Sequence, residues 1–290
     1  MAVSKTSEAA SDLAQLMREG RAVLGSSADS LVDLRTLTEG ITGIHRARQI
    51  VDPDQTVPEH LAGRLRQAFE QRAQGVPVAY ILGTRGFWRH DFRVTPDTLI
   101  PRPETEILLE WALELLPTDT PQTIADLGTG SGILAVSLAA ERPQARVIAS
   151  DISAGALAVA RQNQQAIIPS QTILWIQGSW AACIASGSLD LIVSNPPYIP
   201  QDDPHLFAGD LRFEPRSALA AGIDGLDDYR VLIRQAADVL RPGGWLLVEH
   251  GHDQAPAVQT LMQQEGFISL DTRTDLAVIP RTTGGKKPGG

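Results

Sequence analysis

The stretch VSNPPYIP at residues 193–200 has residue types that suit the binding of a planar amino group. Proline has a fixed φ and no backbone N–H, so Pro196 and Pro197 stiffen a loop that follows a strand. The side-chain carbonyl of Asn195 and the backbone carbonyl of Pro196 can accept both hydrogens of one –NH2 group, and Tyr198 offers a flat face for stacking. The pattern therefore predicts a loop that holds a planar nitrogen for reaction. Its alternative is a purely structural proline turn.

Two acceptors on one loop favour chemistry at a weakly nucleophilic nitrogen. The lone pair of an amide or aryl amine is delocalised into the attached π system, so the nitrogen attacks poorly. Acceptors that hold both N–H bonds fix the nitrogen and draw its lone pair toward the reacting carbon. A methyl sulfonium supplies the driving force, so such a site needs positioning and electrostatics more than a strong base.

A glycine-rich turn, DLGTGSG, occupies residues 126–132 between a hydrophobic strand and the helical run ILAVSLAAE. Glycines permit a tight turn and a close approach of a ligand to the backbone, and the helix N-terminus offers unpaired N–H groups. The turn can be purely structural, or it can hold a dinucleotide. However, the spacing is G-x-G-x-G and not the longer dinucleotide fingerprint. Asp126 would also repel a pyrophosphate, whereas it would favour a cofactor that carries an amino group.

Two residues at the ends of the next strands complete a candidate nucleoside site. Asp151 ends the second strand, where its carboxylate can accept hydrogen bonds from both ribose hydroxyls or can cap the helix that begins after Ser153. Trp180 follows the third strand, where its ring can stack on a purine or fill the core. S-adenosylmethionine carries an amino group, a ribose and a purine. It is therefore the cofactor that these positions, taken with Asp126, predict.

The order of the elements predicts that all these residues meet at one edge of a sheet. From Pro103 onward, helical segments alternate with the strand-like segments TIADLG, ARVIASD, TILWIQG, LDLIVSN and GWLLVEHG. Such alternation is typical of a doubly wound, mostly parallel α/β sheet, which binds ligands at the carboxyl ends of its strands. The glycine turn, Asp151, Trp180 and the SNPPY loop each follow such an end.

The chain before this domain has a different pattern. Residues 1–75 show helical periodicity, with a cap at Ser11 and Asp12 and expected breaks at Gly40 and Gly43, which predicts a small helical bundle.

Two further segments flank the α/β domain, which is predicted over residues 103–283. Residues 76–102 place aromatic and β-branched residues around glycines, which predicts a β-hairpin linker. The glycine-rich residues 284–290 predict a disordered tail.

Composition limits the possible functions. The 290 residues are 43% hydrophobic and 20% charged, enough for two domains that each bury a core. We expect a cytoplasmic protein without a membrane partner, because no apolar run is long enough to span a bilayer or resembles a signal peptide. The single cysteine, Cys183, cannot form an internal disulfide, and no metal site is expected. A net charge of −9 disfavours general binding to nucleic acid.

At these motifs the chain resembles a known family. DLGTGSG and SNPPY resemble the class I S-adenosylmethionine methyltransferases that modify planar nitrogens. IPRPETE at 100–106, FEPRSAL at 213–219 and GIDGLDDYR at 222–230 are similar, more narrowly, to the protein-(glutamine-N5) methyltransferases of the HemK/PrmC family. The resemblance covers residues 76–275. It implies a Rossmann-like, mostly parallel seven-stranded sheet, with an N-terminal helical bundle and a β-hairpin linker.

The resemblance also implies roles for single residues. The residues implied to be catalytic are Asn195, Pro196 and Tyr198, and those implied to hold the substrate are Asn195, Pro196, Pro197 and Tyr198. The residues implied to bind S-adenosylmethionine are Gly128, Thr129, Gly130, Ser131, Gly132, Asp151, Trp180 and Asn195. Arg102 and Glu104 are implied to lie near the site. Glu214 and Arg216 can order a loop over it or form an exposed salt bridge.

The activity implied by the resemblance is methylation of the glutamine amide nitrogen in the Gly-Gly-Gln motif of class-1 peptide chain release factors. The bundle would help grip the release factor, and the enzyme is expected to be a monomer. The alternative is methylation of an amino group in nucleic acid, at adenine N6 of DNA or guanine N2 of ribosomal RNA. That reaction needs an extruded base and a basic track, so we expect no stable nucleic-acid binding by this acidic chain. A non-catalytic scaffold is disfavoured by the intact SNPPY loop.

Overall fold

A computed structural model describes residues 10–289, and the chain divides into two compact units between Gly83 and Thr84. Residues 1–9 of the predicted bundle and Gly290 of the predicted tail lie outside the described residues. Within the described part, no helix is long and apolar enough to cross a membrane. The elements of the first unit are β1 (Ala10–Asp12), α1 (Leu13–Leu24), α2 (Ala28–Thr42), α3 (Arg46–Val51), β2 (Thr56–Pro58), α4 (Glu59–Ala73) and α5 (Val78–Leu82).

The first unit is a helical bundle around one apolar cluster, which includes Leu16, Leu37 and Phe69. Asp12 caps α1 by accepting a hydrogen bond from the Ala14 N–H at 2.8 Å, as the sequence predicts. The predicted break at Gly40 is wrong, because α2 continues to Thr42. A Cβ at Gly40 would lie 2.6 Å from the Leu82 side chain, so this glycine makes room for α5 and does not end a helix.

The second unit begins with a hairpin and continues as alternating strands and helices. Its elements are β3 (Thr84–Phe87), β4 (His90–Arg93), α6 (Thr105–Leu115), β5 (Thr123–Leu127), α7 (Ile133–Glu141), β6 (Arg146–Asp151), α8 (Ala154–Ile167), β7 (Ile173–Gln177), β8 (Leu189–Ser194), α9 (Asp227–Val239), β9 (Leu240–Glu249), α10 (Ala255–Gln264), β10 (Ile268–Thr274) and β11 (Pro280–Lys286). Three 3-10 turns lie between β8 and α9, at Pro204–Phe207, Gly209–Phe213 and Arg216–Ala218.

A seven-stranded sheet in the order β10-β11-β9-β8-β5-β6-β7 forms the centre of the second unit. All pairings are parallel except the two made by β11. Successive residues of β8, Leu191, Ile192 and Val193, alternate between apolar clusters on the two faces of the sheet. This explains the continuous apolar runs of the predicted strands. The fold prediction is confirmed, and the strand order reverses at β5, where doubly wound sheets bind their ligands.

The predicted hairpin is present at β3 and β4 but does not form a free linker. The backbone N–H of Arg93 donates to Asn163 in α8 at 2.8 Å, and that of Trp88 donates to Glu106 in α6 at 2.8 Å. The hairpin is therefore part of the second unit. The preceding residues 78–82 form helix α5, where the aromatic and β-branched residues suggested strand.

The prediction of a disordered tail from residue 284 is wrong for residues 284–286. They complete β11, in which Gly284 pairs with Leu247 of β9. A Cβ at Gly284 would lie 2.6 Å from the side chains of both Leu247 and Trp111. Glycine is needed here because α6 packs closely on this strand, and composition alone does not reveal that contact.

We expect Gly284→Val to lower the free energy of unfolding by about 3 kcal/mol, because the added side chain overpacks the contact between α6 and the sheet. Denaturant-induced unfolding measures this change. Gly289→Val is the matched control, since a Cβ there meets nothing within 4 Å. Equal stability of the two variants would contradict the placement of Gly284 in the sheet.

Candidate active site

A cavity of about 380 Å³ opens at the carboxyl ends of the central strands. The predicted cofactor residues that line it are Gly128, Thr129, Gly130, Ser131, Asp151, Trp180 and Asn195. Gly132 is not among the described residues that line this cavity. A Cβ at Gly132 would lie 3.0 Å from the Cβ of Ala160, so the structure assigns this glycine to the packing of α7 against α8.

Asp126 stabilises the glycine turn by accepting hydrogen bonds from it and from the start of α7. It is 1% exposed, and its Oδ2 accepts hydrogen bonds from the Thr129 hydroxyl at 2.5 Å and the Ala135 N–H at 3.0 Å. Its Oδ1 has no hydrogen-bond partner among the described residues, although Asp126 lines the cavity. Burial raises the pKa of Asp126 to about 7. An amino group in the cavity would satisfy the free oxygen.

At its glycines, the backbone of the turn has no side chain between it and the cavity. Gly130 has a φ of +55°, and a Cβ there would meet nothing within 4 Å. Gly128 has a φ of +74°, and a Cβ there would lie 2.9 Å from the ring of Trp180. The two glycines therefore permit the left-handed conformation and the close approach of a ring or a ligand.

Asp151 connects the turn to the next strand. Its Oδ2 accepts a hydrogen bond from the Gly130 N–H at 2.8 Å, and its Oδ1 accepts one from the Ser153 N–H at 2.8 Å. The cap of α8 is Ser153, whose hydroxyl oxygen accepts from the Ala156 N–H at 3.1 Å. Burial raises the pKa of Asp151. A carboxylate has about four lone-pair sites, so its hydrogen bonds to the backbone leave acceptor capacity for a ligand.

The SNPPY loop at residues 194–198, called the acceptor loop below, lies where two cavities meet. A second cavity of about 450 Å³ shares Asn195 and Arg102 with the first. Pro197 lines the first cavity and Tyr198 the second, whereas Pro196 is buried and is not among the described residues that line either. Burial raises the pKa of the Tyr198 phenol well above its usual value, so this side chain stays neutral.

Two hydrogen bonds and one close backbone contact hold this loop. The Tyr198 carbonyl accepts from the Gln254 amide at 3.0 Å, and the Ile199 N–H donates to the Leu219 carbonyl at 2.9 Å. A Cβ at Gly225 would lie 2.4 Å from the Tyr198 carbonyl oxygen. The loop is therefore fixed by residues far along the chain, as a positioning site requires.

Two buried residues behind Asn195 escaped the sequence analysis. The Nδ2 of Asn195 donates to the hydroxyl oxygen of Thr105, the first residue of α6, at 3.2 Å. The side chains of Thr105 and Asn195 also lie beside the carboxyl group of Glu249, at the end of β9. Glu249 ends a strand at the same sheet edge as Asp151, and that position was the signal that could have identified it.

Arg102 and Glu214 form an ion pair beside the cavities. Glu214 is 4% exposed, and its Oε2 also accepts a hydrogen bond from the Ile100 N–H at 2.9 Å. Arg216 instead stacks over Phe207, with 4.8 Å from its guanidinium carbon to the ring centroid. The alternative of an exposed salt bridge between Glu214 and Arg216 is therefore wrong, and Glu214 connects the loop to residues 100–102.

We expect Glu214→Ala to lower the free energy of unfolding by about 2 kcal/mol, because it leaves the partly buried Arg102 and the Ile100 N–H without their acceptor. Chemical denaturation measures this loss. Arg216→Ala is the control, and it should change the stability by less than about 0.5 kcal/mol because its guanidinium is not part of that pair. Similar losses in both variants would contradict this assignment.

The fold and the site define a class I S-adenosylmethionine-dependent methyltransferase. A solved structure with this fold, the T. thermophilus 16S rRNA N2 G1207 methyltransferase in complex with AdoMet and guanosine, aligns with a TM-score of 0.53 and 20% identity over 70% of this chain and 49% of that chain. Family models match at residues 15–83, described as the PrmC N-terminal domain, and at residues 105–210, described as the methyltransferase small domain.

Curated relatives identify the family more closely. The release factor glutamine methyltransferase of Burkholderia pseudomallei is 42% identical over 92% of this chain and 95% of its own length. That of Xylella fastidiosa is 51% identical over 76% of this chain and 80% of its own length. The chain belongs to the release factor glutamine methyltransferase family, which confirms the resemblance that its motifs indicate.

Proposed function

We propose that this protein transfers the methyl group of S-adenosylmethionine to the side-chain amide nitrogen of the glutamine in the Gly-Gly-Gln motif of class-1 peptide chain release factors. The observation that carries the proposal is the position of Asn195, which lines both the cavity of the glycine turn and the adjoining cavity of Tyr198. A nitrogen bound at that junction lies beside a donor bound on the turn. The named activity of the curated relatives supports this substrate.

The residues of the first cavity fit the cofactor. When bound, S-adenosylmethionine supplies an electrophilic methyl group on a positively charged sulfur. Asp151 would accept the ribose hydroxyls, the free oxygen of Asp126 would face the amino group, and Trp180 would lie against the adenine. The carboxylates of Asp126 and Asp151 also favour a cation in a cavity of low polarity.

The acceptor loop would hold the substrate amide. The Asn195 Oδ1 and the Pro196 carbonyl would accept its two N–H bonds, and the ring of Tyr198 would stack against its plane. The transfer would form a C–N bond as the C–S bond breaks, which would leave the sulfur as the neutral thioether S-adenosylhomocysteine, and the proton lost by the nitrogen would pass to water. The loop contributes orientation and charge stabilisation and does not need a strong base.

The first unit provides a second line of support for a release factor as the substrate. Its match to the PrmC N-terminal domain at residues 15–83 supports a role in binding parts of the release factor other than the Gly-Gly-Gln glutamine. Binding energy from such remote contacts can be used to position a flexible loop. Short Gly-Gly-Gln peptides should therefore be poor substrates. Because release factors act in translation, we place the reaction in the cytoplasm.

The test is transfer of labelled methyl from S-adenosylmethionine to a purified class-1 release factor. The release factor with its Gly-Gly-Gln glutamine replaced by alanine, duplex DNA and ribosomal RNA serve as the other acceptors. We expect label on the intact factor alone. Label on nucleic acid, or equal label on both forms of the factor, would overturn the proposed substrate.

A further inference from the structure

Glu249 is a buried acidic residue that the transfer chemistry described above does not use. It is 2% exposed, and its Oε2 has no hydrogen-bond partner among the described residues. The Thr105 hydroxyl and the Asn195 amide lie beside its carboxyl group, where each can donate a hydrogen bond to it. Asn195 in turn donates through Nδ2 to the Thr105 oxygen at 3.2 Å. The three side chains therefore lie next to one another, with Thr105 and Glu249 buried behind Asn195.

The other groups around Glu249 define its electrostatic setting. Glu104 before α6 raises its pKa and Arg281 in β11 lowers it. The phenols of Tyr198 and Tyr229 are held neutral by burial, and the Tyr229 hydroxyl donates to the backbone carbonyl of Glu249 at 2.7 Å. Burial also lowers the pKa of the adjacent His250 imidazole, which favours its neutral form. Arg281 is therefore the cation among these groups.

We propose that the Glu249 carboxylate is a positioning residue that sets which end of the Asn195 amide faces the substrate. The proposal rests on the proposed function, since it concerns the same acceptor. A carboxylate only accepts hydrogen bonds. The Thr105 hydroxyl therefore donates to Glu249 and presents a lone pair to Asn195, so the NH2 group of Asn195 points inward. Its Oδ1 is left to accept from the substrate nitrogen.

A neutral side chain at position 249 allows the opposite directions for these hydrogen bonds. A protonated Glu249, or a glutamine, can donate to the Thr105 oxygen, and the Thr105 hydroxyl hydrogen can then point to the Asn195 amide. Asn195 satisfies that donor by turning its Oδ1 inward, and its NH2 group then faces the NH2 group of the substrate. Two donors cannot form a hydrogen bond, so the reacting nitrogen is no longer held.

The ionisation of Glu249 gives the proposal a pH dependence. Burial raises the pKa of its carboxyl group to about 7. The productive carboxylate is the form above that pKa, so kcat should rise with pH through about 7 and then level off. Asp126 titrates in the same range, but it faces the cofactor, so saturating S-adenosylmethionine separates the two effects.

The first test compares pH profiles of methyl transfer to a class-1 release factor for the wild type, Glu249→Gln and the surface control Glu265→Gln. We expect kcat of Glu249→Gln to fall about 100-fold, as for a misplaced reacting group, with no rise near pH 7. Its Kd for S-adenosylmethionine should stay within about threefold of the wild-type value.

The Thr105 variants test the same hydrogen-bond chain. Thr105→Val should lose activity similarly, and Thr105→Ser should lose less because it keeps the hydroxyl. A Glu249→Gln enzyme with the wild-type rate and pH profile would overturn the proposal.

The second test needs no substrate and so separates this proposal from the proposed function. The side-chain NH2 signals of Asn195 are assigned in 15N spectra of the free protein by comparison with Asn195→Ala. We expect them to shift with pH through about 7 in the wild type, and to be displaced and insensitive to pH in Glu249→Gln. Signals that respond to neither change would refute the positioning role even where the release factor is methylated. The expected response without methylation of the factor would refute the substrate alone.

Discussion

Replacing Asn195 by alanine should abolish nearly all methyl transfer, with kcat falling about 1,000-fold. The change removes one of the two acceptors for the substrate amide, and the loss of a single preorganised hydrogen-bonding group in an active site costs this much. Asn195 lines both cavities, and its Nδ2 is already bonded to Thr105 at 3.2 Å. A single-turnover assay with labelled cofactor and release factor measures the effect.

Cofactor affinity and stability provide the control for this variant. Asp151 and the glycine turn are untouched, so the Kd for S-adenosylmethionine should rise by less than about fivefold. Asn163→Ala should show the opposite pattern, with a clear loss of stability, because its amide joins the Arg93 and Ser131 carbonyls at 3.0 and 2.8 Å. Unchanged turnover in Asn195→Ala would exclude the proposed mechanism.

The second large effect is expected for Asp151→Ala, which should weaken S-adenosylmethionine binding about 100-fold. Hydrogen bonds from two ribose hydroxyls to a charged partner contribute about 3 kcal/mol, which corresponds to that change in Kd. The variant also removes the acceptor of the Gly130 N–H, bonded at 2.8 Å, and so loosens the turn. Calorimetric titration measures the Kd.

Ser153→Ala distinguishes this role from helix capping. It removes the cap of α8 and should cost about 1 kcal/mol of stability, with cofactor affinity nearly unchanged. If Asp151→Ala instead lost only stability and retained the Kd, the residue would be a structural cap and the ribose assignment would be wrong.

Much of the fold was predictable because its signals are local. The strands β5, β6, β8 and β9 are apolar runs that pack on both faces of the sheet, and helices or turns separate each of the strands β5–β9 from the next. The glycine turn and Asp151 could be placed because the turn directly follows such a strand and Asp151 ends the next one. Their common edge then follows from the rule for doubly wound sheets.

The errors arose where a distant contact overrides a local preference. Gly284 belongs to a strand because α6 packs on it, and Gly40 stays helical because Leu82 occupies the space of its missing side chain. Residues 78–82 form a helix although their side chains favour strand. In each case the deciding partner lies elsewhere in the chain, so composition and periodicity could not identify it.

The sequence by itself determined the class of chemistry, since an acceptor pair after one strand and a glycine turn with an acidic residue after another depend only on residue type and order. The tertiary structure decided how those groups work. It brings Glu214 to Arg102, which lies 112 positions away in the chain, and Asn195 to Thr105, which lies 90 positions away. Hydrogen-bond direction depends on such partners, because an amide such as Asn195 can face either way until a buried neighbour selects one end.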